Sequence, residues 1–410
     1  MESNSDPLPA DVLLEIFSYC SYTDLVRLQF VCKLWQQVSR EKRLWKNVVY
    51  RPDCIDTPKD IIDSLNVSPE LRALDLRDIS CTITKELVEV LVNGCPRLEQ
   101  LRVDWNFLYR KINLEIKTIK ILILKADRSF ALKFDFEYLH NYLPNVEHLD
   151  CRVLNIRESD LRVYLWKKRL SLHTVGFSCR MLHSNCILSY LKVCTKLKSL
   201  TLFGLCSQIG HLSVQSLGHL KQISSLTVRS SGWSSVHDYL AMFSYFPNLV
   251  ELQLDTVTVH DENMLLVVAE KCPLLQKLTL YSLRGYFRDH NLKYVSNFKK
   301  LMFLCLRSNC DITDASVAHL QAISELRYLD ILDCERMTPQ CLLTLCGFDK
   351  LQTLKFDLKK CDLPTDFGAG HVQNPDLHIM FYNCKDTSVL DHLRRQRLRI
   401  SLLNGSSLRE

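Results

Sequence analysis

The 410-residue chain carries 52 Lys and Arg against 46 Asp and Glu, a formal net charge of +6, with 47% apolar and 24% charged residues. That composition is enough to bury a large core, so the chain is expected to be folded throughout. The modest, interspersed charge argues against a polyanion binder, so nucleic acid is not expected as the main partner and a protein is.

No run of about 18 apolar residues occurs, and the N-terminus lacks a basic segment leading into an apolar one. The expectation is a soluble protein of the cytoplasm and/or nucleus with no membrane partner. Eighteen cysteines are present, none in a CxxC pair, and reduced thiols are expected. The His and Cys positions show no HExxH or paired-ligand spacing, so neither a metal nor a cofactor is expected.

Residues 1–6 are expected to be a disordered N-terminus, and residues 7–50 read as three short helices. Pro9 marks a helix start, and Leu13, Ile16, Phe17 and Cys20 follow with i, i+3, i+4, i+7 spacing on one face. Thr23 is placed to cap a second helix with Leu25, Leu28, Cys32 and Trp35 in line, while Val31, Leu34 and Val38 make a second apolar stripe. The third helix spans 43–48. A bundle of this size has more apolar surface than it can hide, which suggests either a partner or a role as cap on the neighbouring part of the chain.

From residue 71 onward the pattern LxxLxL recurs. Its first positions are Leu71, Leu98, Ile119, Val146, Leu172, Leu197, Ile223, Leu249, Leu275, Leu301, Leu326, Leu351 and Leu377. Nearly all are separated by 25 to 27 residues, apart from one gap of 21 residues between Leu98 and Ile119. Each unit alternates apolar and variable residues as a short strand with one buried face does, and then runs into a turn and a helix. Asp314 and the Thr338-Pro339 pair are placed to start two of these helices. Six prolines stand two residues before a repeat start, which supports the phase. Cys95, Cys194 and Cys272 occupy a position filled elsewhere by Ile, Leu or Phe, and so are expected in the core.

Counting one period back from Leu71 reaches Trp45-xx-Val48-x-Tyr50, a degenerate first unit, with Thr57-Pro58 opening its helix. The repeat array is thus set at 45–384, overlapping the helical segment, and no Gly/Ser-rich linker separates the two. They are expected to move as one rigid body. Trp105 to Tyr109 and the aromatic-rich stretch 126–138 break the pattern, either as recognition loops or as fillers of an irregular core. Residues 385–410 are assigned to a capping helix and tail, with Val389, Leu390 and Leu393 inward and Arg394, Arg395, Arg397 and Arg399 outward.

The units resemble the leucine-rich repeat of about 26 residues with a cysteine-containing consensus, LMFLCLRSNCDITDASVAHL being close to it. The order LPADVLLEIFSY, Asp24-Leu25, Val31-Cys32, Trp35 and Leu44-Trp45 resembles the F-box. Together they resemble the F-box and leucine-rich-repeat family of ubiquitin-ligase receptors. The resemblance implies an α/β fold, a small helical F-box bundle continuous with a curved solenoid that has parallel strands on the concave face and helices on the convex face. It further implies binding to a Skp-type adaptor and through it a cullin-RING complex, with Leu8, Pro9, Val12, Leu13, Ile16 and Phe17 facing the adaptor. Whether Trp35 is core or interface stays open.

No phosphate loop, nucleophile elbow or paired carboxylates emerge, so a non-catalytic receptor is expected rather than an enzyme. The variable strand positions would form the target-binding face. Tyr281, Phe303, Arg307, Tyr328 and Asp330 fall close together there, and such aromatic and arginine groups suit either a binding hot spot or mutual packing. A repeat scaffold that binds protein or nucleic acid without delivering ubiquitin is the alternative.

Overall fold

The computed structural model describes residues 8–104, 115–125, 135–151, 156–178, 187–204, 215–229, 236–256, 261–283, 287–358, 367, 370, 372–382 and 399–403. They belong to two compact units, Met1–Met181 and Leu182–Glu410. The expected disordered N-terminus, Trp105 to Tyr109, residues 126–134 and the arginines at 394, 395 and 397 lie outside the described residues.

The first unit begins with helices α1 (Ala10–Phe17), α2 (Tyr22–Leu28) and α3 (Lys33–Ser39), then one 3-10 turn, Leu44–Lys46. Three sequence expectations change here. Ser21, not Thr23, caps α2, accepting from the Asp24 N–H while the Asp24 carboxylate accepts from the Ser21 N–H. The single helix expected from Leu25 to Val38 is broken, because Cys32 is extended and starts α3 instead. The third helix is only the turn at Leu44–Lys46, after which the chain enters a strand.

That strand, β1 (Val49–Tyr50), pairs in parallel with β2 (Ala73–Leu76). Between them runs α4 (Pro58–Asn66), capped by Thr57 with Pro58 in its first turn and with Ile61 and Leu65 fully buried. Strands β3 (Gln100–Asp104), β4 (Ile121–Lys125), β5 (His148–Cys151) and β6 (Thr174–Ser178) follow, each parallel to the one before. The second unit repeats the plan with β7 (Ser199–Phe203), β8 (Ser225–Arg229), β9 (Glu251–Asp255), β10 (Lys277–Tyr281) and β11 (Phe303–Cys305). It continues through β12 (Tyr328–Asp330), β13 (Thr353–Asp357), β14 (His378–Tyr382) and β15 (Arg399–Leu403). The last corrects a sequence expectation: Arg399 to Leu403 is a strand paired with β14, not part of a capping helix. An Ile-Ser-Leu-Leu run next to an open strand edge satisfies its backbone groups by joining it.

All thirteen repeat-start residues are at most 2% exposed. Most strands alternate buried and half-buried residues, so each contributes one stripe to the core and one to a face. Just past the strands, Asp78, Gly204, Thr256, Ser282, Ser308 and Asp333 have positive φ. All six occupy the eighth place of their repeats, where the chain turns sharply from strand to helix side. Gly204 takes that conformation freely, and small polar residues tolerate it.

Side chains tie one repeat to the next. Buried Asn309 donates to the Leu280 and Leu306 carbonyls and accepts from the Leu283 N–H, bridging two turns. Thr313 caps its own turn and gives its N–H and hydroxyl to Asp289. Asp314, expected to be a cap, instead accepts from Thr338 of the following repeat. Cys95, Cys194 and Cys272 are at most 1% exposed, and burial pushes their thiols up to about 11, 11 and 12. They behave as core residues.

The helical bundle is fastened to the first repeats. Tyr22 of α2 stacks on Tyr50 at 4.1 Å and meets the Trp45 ring edge-on at 6.0 Å. Its hydroxyl donates to the Ser64 carbonyl at the end of α4 and lies 3.2 Å from the Ser68 hydroxyl. Gln29 donates to the Val67 carbonyl and accepts from Arg40, while the Trp45 indole N–H donates to the Ser39 carbonyl. Burial pushes the Tyr50 phenol up to about 12.

Asp75 of β2 is fully buried. Arg51, just past β1, and Arg77, just past β2, each place a guanidinium nitrogen 2.7 Å from its carboxylate, and Arg102 of β3 lies at 3.9 Å. Burial alone would raise its pKa, but the hydrogen bonds from Arg77 and Arg51 outweigh it and hold the carboxyl near 2. A folded-state pKa below the unfolded value means that this stability is present above the ordinary carboxylate range and lost as pH falls through about 2. Asp75→Asn should therefore destabilise the chain by about 2 kcal/mol at neutral pH. In urea titrations the gap between parent and variant should narrow by roughly half by about pH 3; a gap independent of pH would refute this account.

Candidate functional site

Helix α1 divides its apolar residues between two faces. Leu13 and Phe17, one turn apart, are 1% and 2% exposed, and Phe17 meets the Trp35 ring edge-on at 5.4 Å. The expectation that Leu13 and Phe17 face a partner is thereby corrected: they are the core of the bundle. Trp35 is half-buried against Phe17. Val12 and Ile16, also one turn apart, are 43% and 48% exposed, and Leu8 before the helix is 50% exposed beside exposed Pro9.

Tyr19 (82%), Phe30 (73%) and Val31 (58%) are further exposed apolar side chains of the bundle. Tyr19 and Phe30 escaped the sequence reading because both follow the ends of helices, outside any periodic stripe. The backbone geometry of those turns decides where they point. Leaving each such side chain in water forfeits roughly 1.5–3 kcal/mol relative to burial.

The strand-face cluster expected in the second unit is split by register. Phe303 pairs with Lys277, not Tyr281, so Tyr281 lies four residues further along the strand direction, about 13 Å away. Phe303 and Tyr328 do come together, stacked at 4.1 Å with planes 8° apart. Lys355 of the next strand holds its ammonium 5.5 Å from the Tyr328 ring centroid. Arg307 belongs to the Tyr281 end, where its carbonyl accepts from the Ser282 N–H and its side chain lies 3.9 Å from Asp333.

Asp330, expected outward with these residues, is 5% exposed and its carboxylate accepts from the Leu332 N–H. Burial raises its pKa, although Arg307 and Lys355 pull the other way. It is a buried support between the two ends rather than a contact residue. What the face offers is a flat aromatic pair beside a cation, with an arginine at the opposite rim.

Comparison with known proteins agrees with this layout. Residues 6–51 match the F-box-like domain family. The chain is 25% identical over 241 residues to F-box/LRR-repeat protein 5 of Mus musculus, covering 56% of this chain and 33% of that protein. It thus spans about a third of the length of that relative. A chain in the crystal structure of the Rad7 and Elc1 complex in yeast shares the fold, with a TM-score of 0.51 and 16% identity, covering 97% of this chain and 93% of that one.

The chain resembles F-box and leucine-rich-repeat proteins, with an F-box-like domain at residues 6–51 followed by a repeat fold shared with the yeast chain. The expected α/β class is also what the structure shows, a helical F-box followed by parallel strands with helices. Among the described residues no helix is long and apolar enough to cross a membrane.

The two faces of the F-box helix make separable predictions. Leu13→Ala should cost about 2–5 kcal/mol of stability through the cavity it leaves. Val12→Ser with Ile16→Ser should change the melting temperature little, since neither side chain is packed. Calorimetric melting of both variants checks this, and a large loss in the surface pair would show that Val12 and Ile16 are core.

Proposed function

We propose that this protein is the substrate-recognition subunit of a Skp-cullin-F-box type ubiquitin ligase. In this reading the F-box binds a Skp-type adaptor, and through it a cullin-RING complex, while the repeats hold the protein to be ubiquitinated. The observation that carries it is the exposed apolar row Leu8, Pro9, Val12 and Ile16 on a bundle whose other elements are fastened to the first repeat through Tyr22, Gln29 and Trp45. A cap over the repeats would need only the fastened contacts. The exposed row calls for a second protein. The F-box-like match and the relative named as an F-box/LRR-repeat protein support the reading, and the yeast neighbour is itself found in a complex of two proteins.

The receptor in this reading supplies proximity rather than chemistry. Holding a target near the transfer machinery converts a bimolecular encounter into a reaction at high effective concentration. The packed contacts of Tyr22, Tyr50 and Trp45 serve that purpose by fixing the bundle on its first repeats. For the target we assign the Phe303–Tyr328 stack with Lys355 and, at the opposite rim, Tyr281 and Arg307. Aromatic rings and guanidinium groups yield much contact area for little lost side-chain freedom.

Calorimetry of the purified chain with a Skp-type adaptor tests the first half. The parent should bind, and Val12→Glu with Ile16→Glu should weaken binding by at least about tenfold, as central apolar contacts do. No binding by the parent would overturn the proposal in favour of a scaffold that does not deliver ubiquitin. For the second half, Phe303→Ala with Tyr328→Ala should lose proteins captured by the parent while adaptor affinity stays unchanged. An unaltered set of captured proteins would remove the stack from the target site.

A further inference from the structure

Parallel pairing of β5 with β6 sets His148 beside Thr174, and therefore Glu147 beside His173. The Glu147 carbonyl accepts from the N–H groups of both His173 and Thr174, which pins the two segments together. Two histidines 25 residues apart in sequence thus become neighbours, their rings nearly parallel at 5.7 Å between centroids. Ligand atoms of Glu147, His148 and His173 all lie within 4.8 Å of one another. The His148 Nδ1 is 2.9 Å from the Thr174 hydroxyl, which leaves its Nε2 outside that hydrogen bond. The His173 Nδ1 is buried and has no hydrogen-bond partner. An orphaned buried imidazole nitrogen is costly unless something binds it.

We propose that Glu147, His148 and His173 bind a divalent transition-metal cation, with zinc the best suited. Two imidazoles and a carboxylate form a nitrogen-rich donor set that fits zinc, whereas calcium and magnesium prefer oxygen alone. Bonds of about 2.0–2.1 Å in tetrahedral geometry set neighbouring donors roughly 3.4 Å apart. Closing the cluster from within 4.8 Å to that spacing needs up to about 1.4 Å of movement, within reach of side-chain rotations of the three residues. Thr174 would act as the outer partner that fixes the His148 ring, as carboxylates and hydroxyls do around metal-bound histidines. Three protein ligands leave a position for water or for a donor from another molecule.

The field of buried Lys168 reaches Glu147 and opposes a cation there, but its ammonium is engaged by the Pro144 carbonyl. Glu147 and the two rings face the cation more directly. The site rests on the geometry of the first unit alone and is independent of any role in ubiquitin transfer.

Cobalt(II) added to the full chain in equilibrium dialysis, with absorption spectra recorded on the same samples, tests the proposal. One equivalent should bind and show d–d bands without a thiolate-to-cobalt charge-transfer band, and zinc should displace it. The missing thiolate band separates this site from binding by the many cysteines. His173→Gln should abolish that equivalent, and Thr174→Val should weaken it by about 10- to 100-fold. Circular dichroism establishes that His173→Gln is folded; should it not be, Glu147→Gln, at a half-buried position, supplies the same readout with at least a tenfold loss. Binding by the folded variant equal to the parent, or a thiolate band in the parent, would overturn the proposal.

Discussion

Each unit rests on parallel strand pairing held at one register. Successive strands hydrogen-bond so that a residue stands beside its counterpart one repeat later, as Leu200 beside Leu226, Leu226 beside Leu252, and Leu278 beside Leu304. No single repeat hides its own leucines, so stability comes from the interface with the next one. A slip by one residue would turn every buried leucine outward. The constant register is what converts a sequence period into spatial columns, and the cross-repeat bonds of Asn309, Thr313 and Thr338 belong to such columns.

The same register brings charges and rings together, and burial then decides what they become. Asp75 and Asp330 occupy the same place in their repeats, five residues into the unit, and both are buried. Asp75 receives two guanidinium groups at 2.7 Å and is held ionised, so it clamps the segment after β1 to β2. Asp330 has a backbone N–H as its hydrogen-bond donor and more distant cations, and burial prevails. One carboxylate anchors the F-box joint. The other sits buried beneath a face that carries the stacked Phe303 and Tyr328.

The joint itself explains why a bundle of three short helices persists. Tyr22, Gln29, Trp45 and Tyr50 bury rings and satisfy hydrogen bonds against α4 and the residues just after it, so the bundle shares the core of the first repeats. Its remaining apolar residues, Leu8, Val12 and Ile16 among them, stay exposed. Leu13 and Val12 are adjacent in sequence, yet one is 1% and the other 43% exposed, and that division is made by where α1 rests on α3.

Much of this was legible in the sequence. The repeat period placed the strands, their buried leucines and the core cysteines, because a periodic apolar pattern has few ways to be buried; it also placed the degenerate strand at Val49–Tyr50. Helix ends were read less well, since Ser21, Thr23, Thr313 and Asp314 are all able to cap and only the backbone selects among them. The C-terminal strand was missed because an arginine-rich segment has the local character of a helix, and an open strand edge overrides it. The candidate sites were the least legible. Pairing Glu147 and His148 with His173, stacking Phe303 on Tyr328 while setting Tyr281 apart, and turning Asp75 and Asp330 inward all depend on lateral register and on which charges lie nearby. Those are contacts between residues one repeat apart, and only the packed repeats decide them.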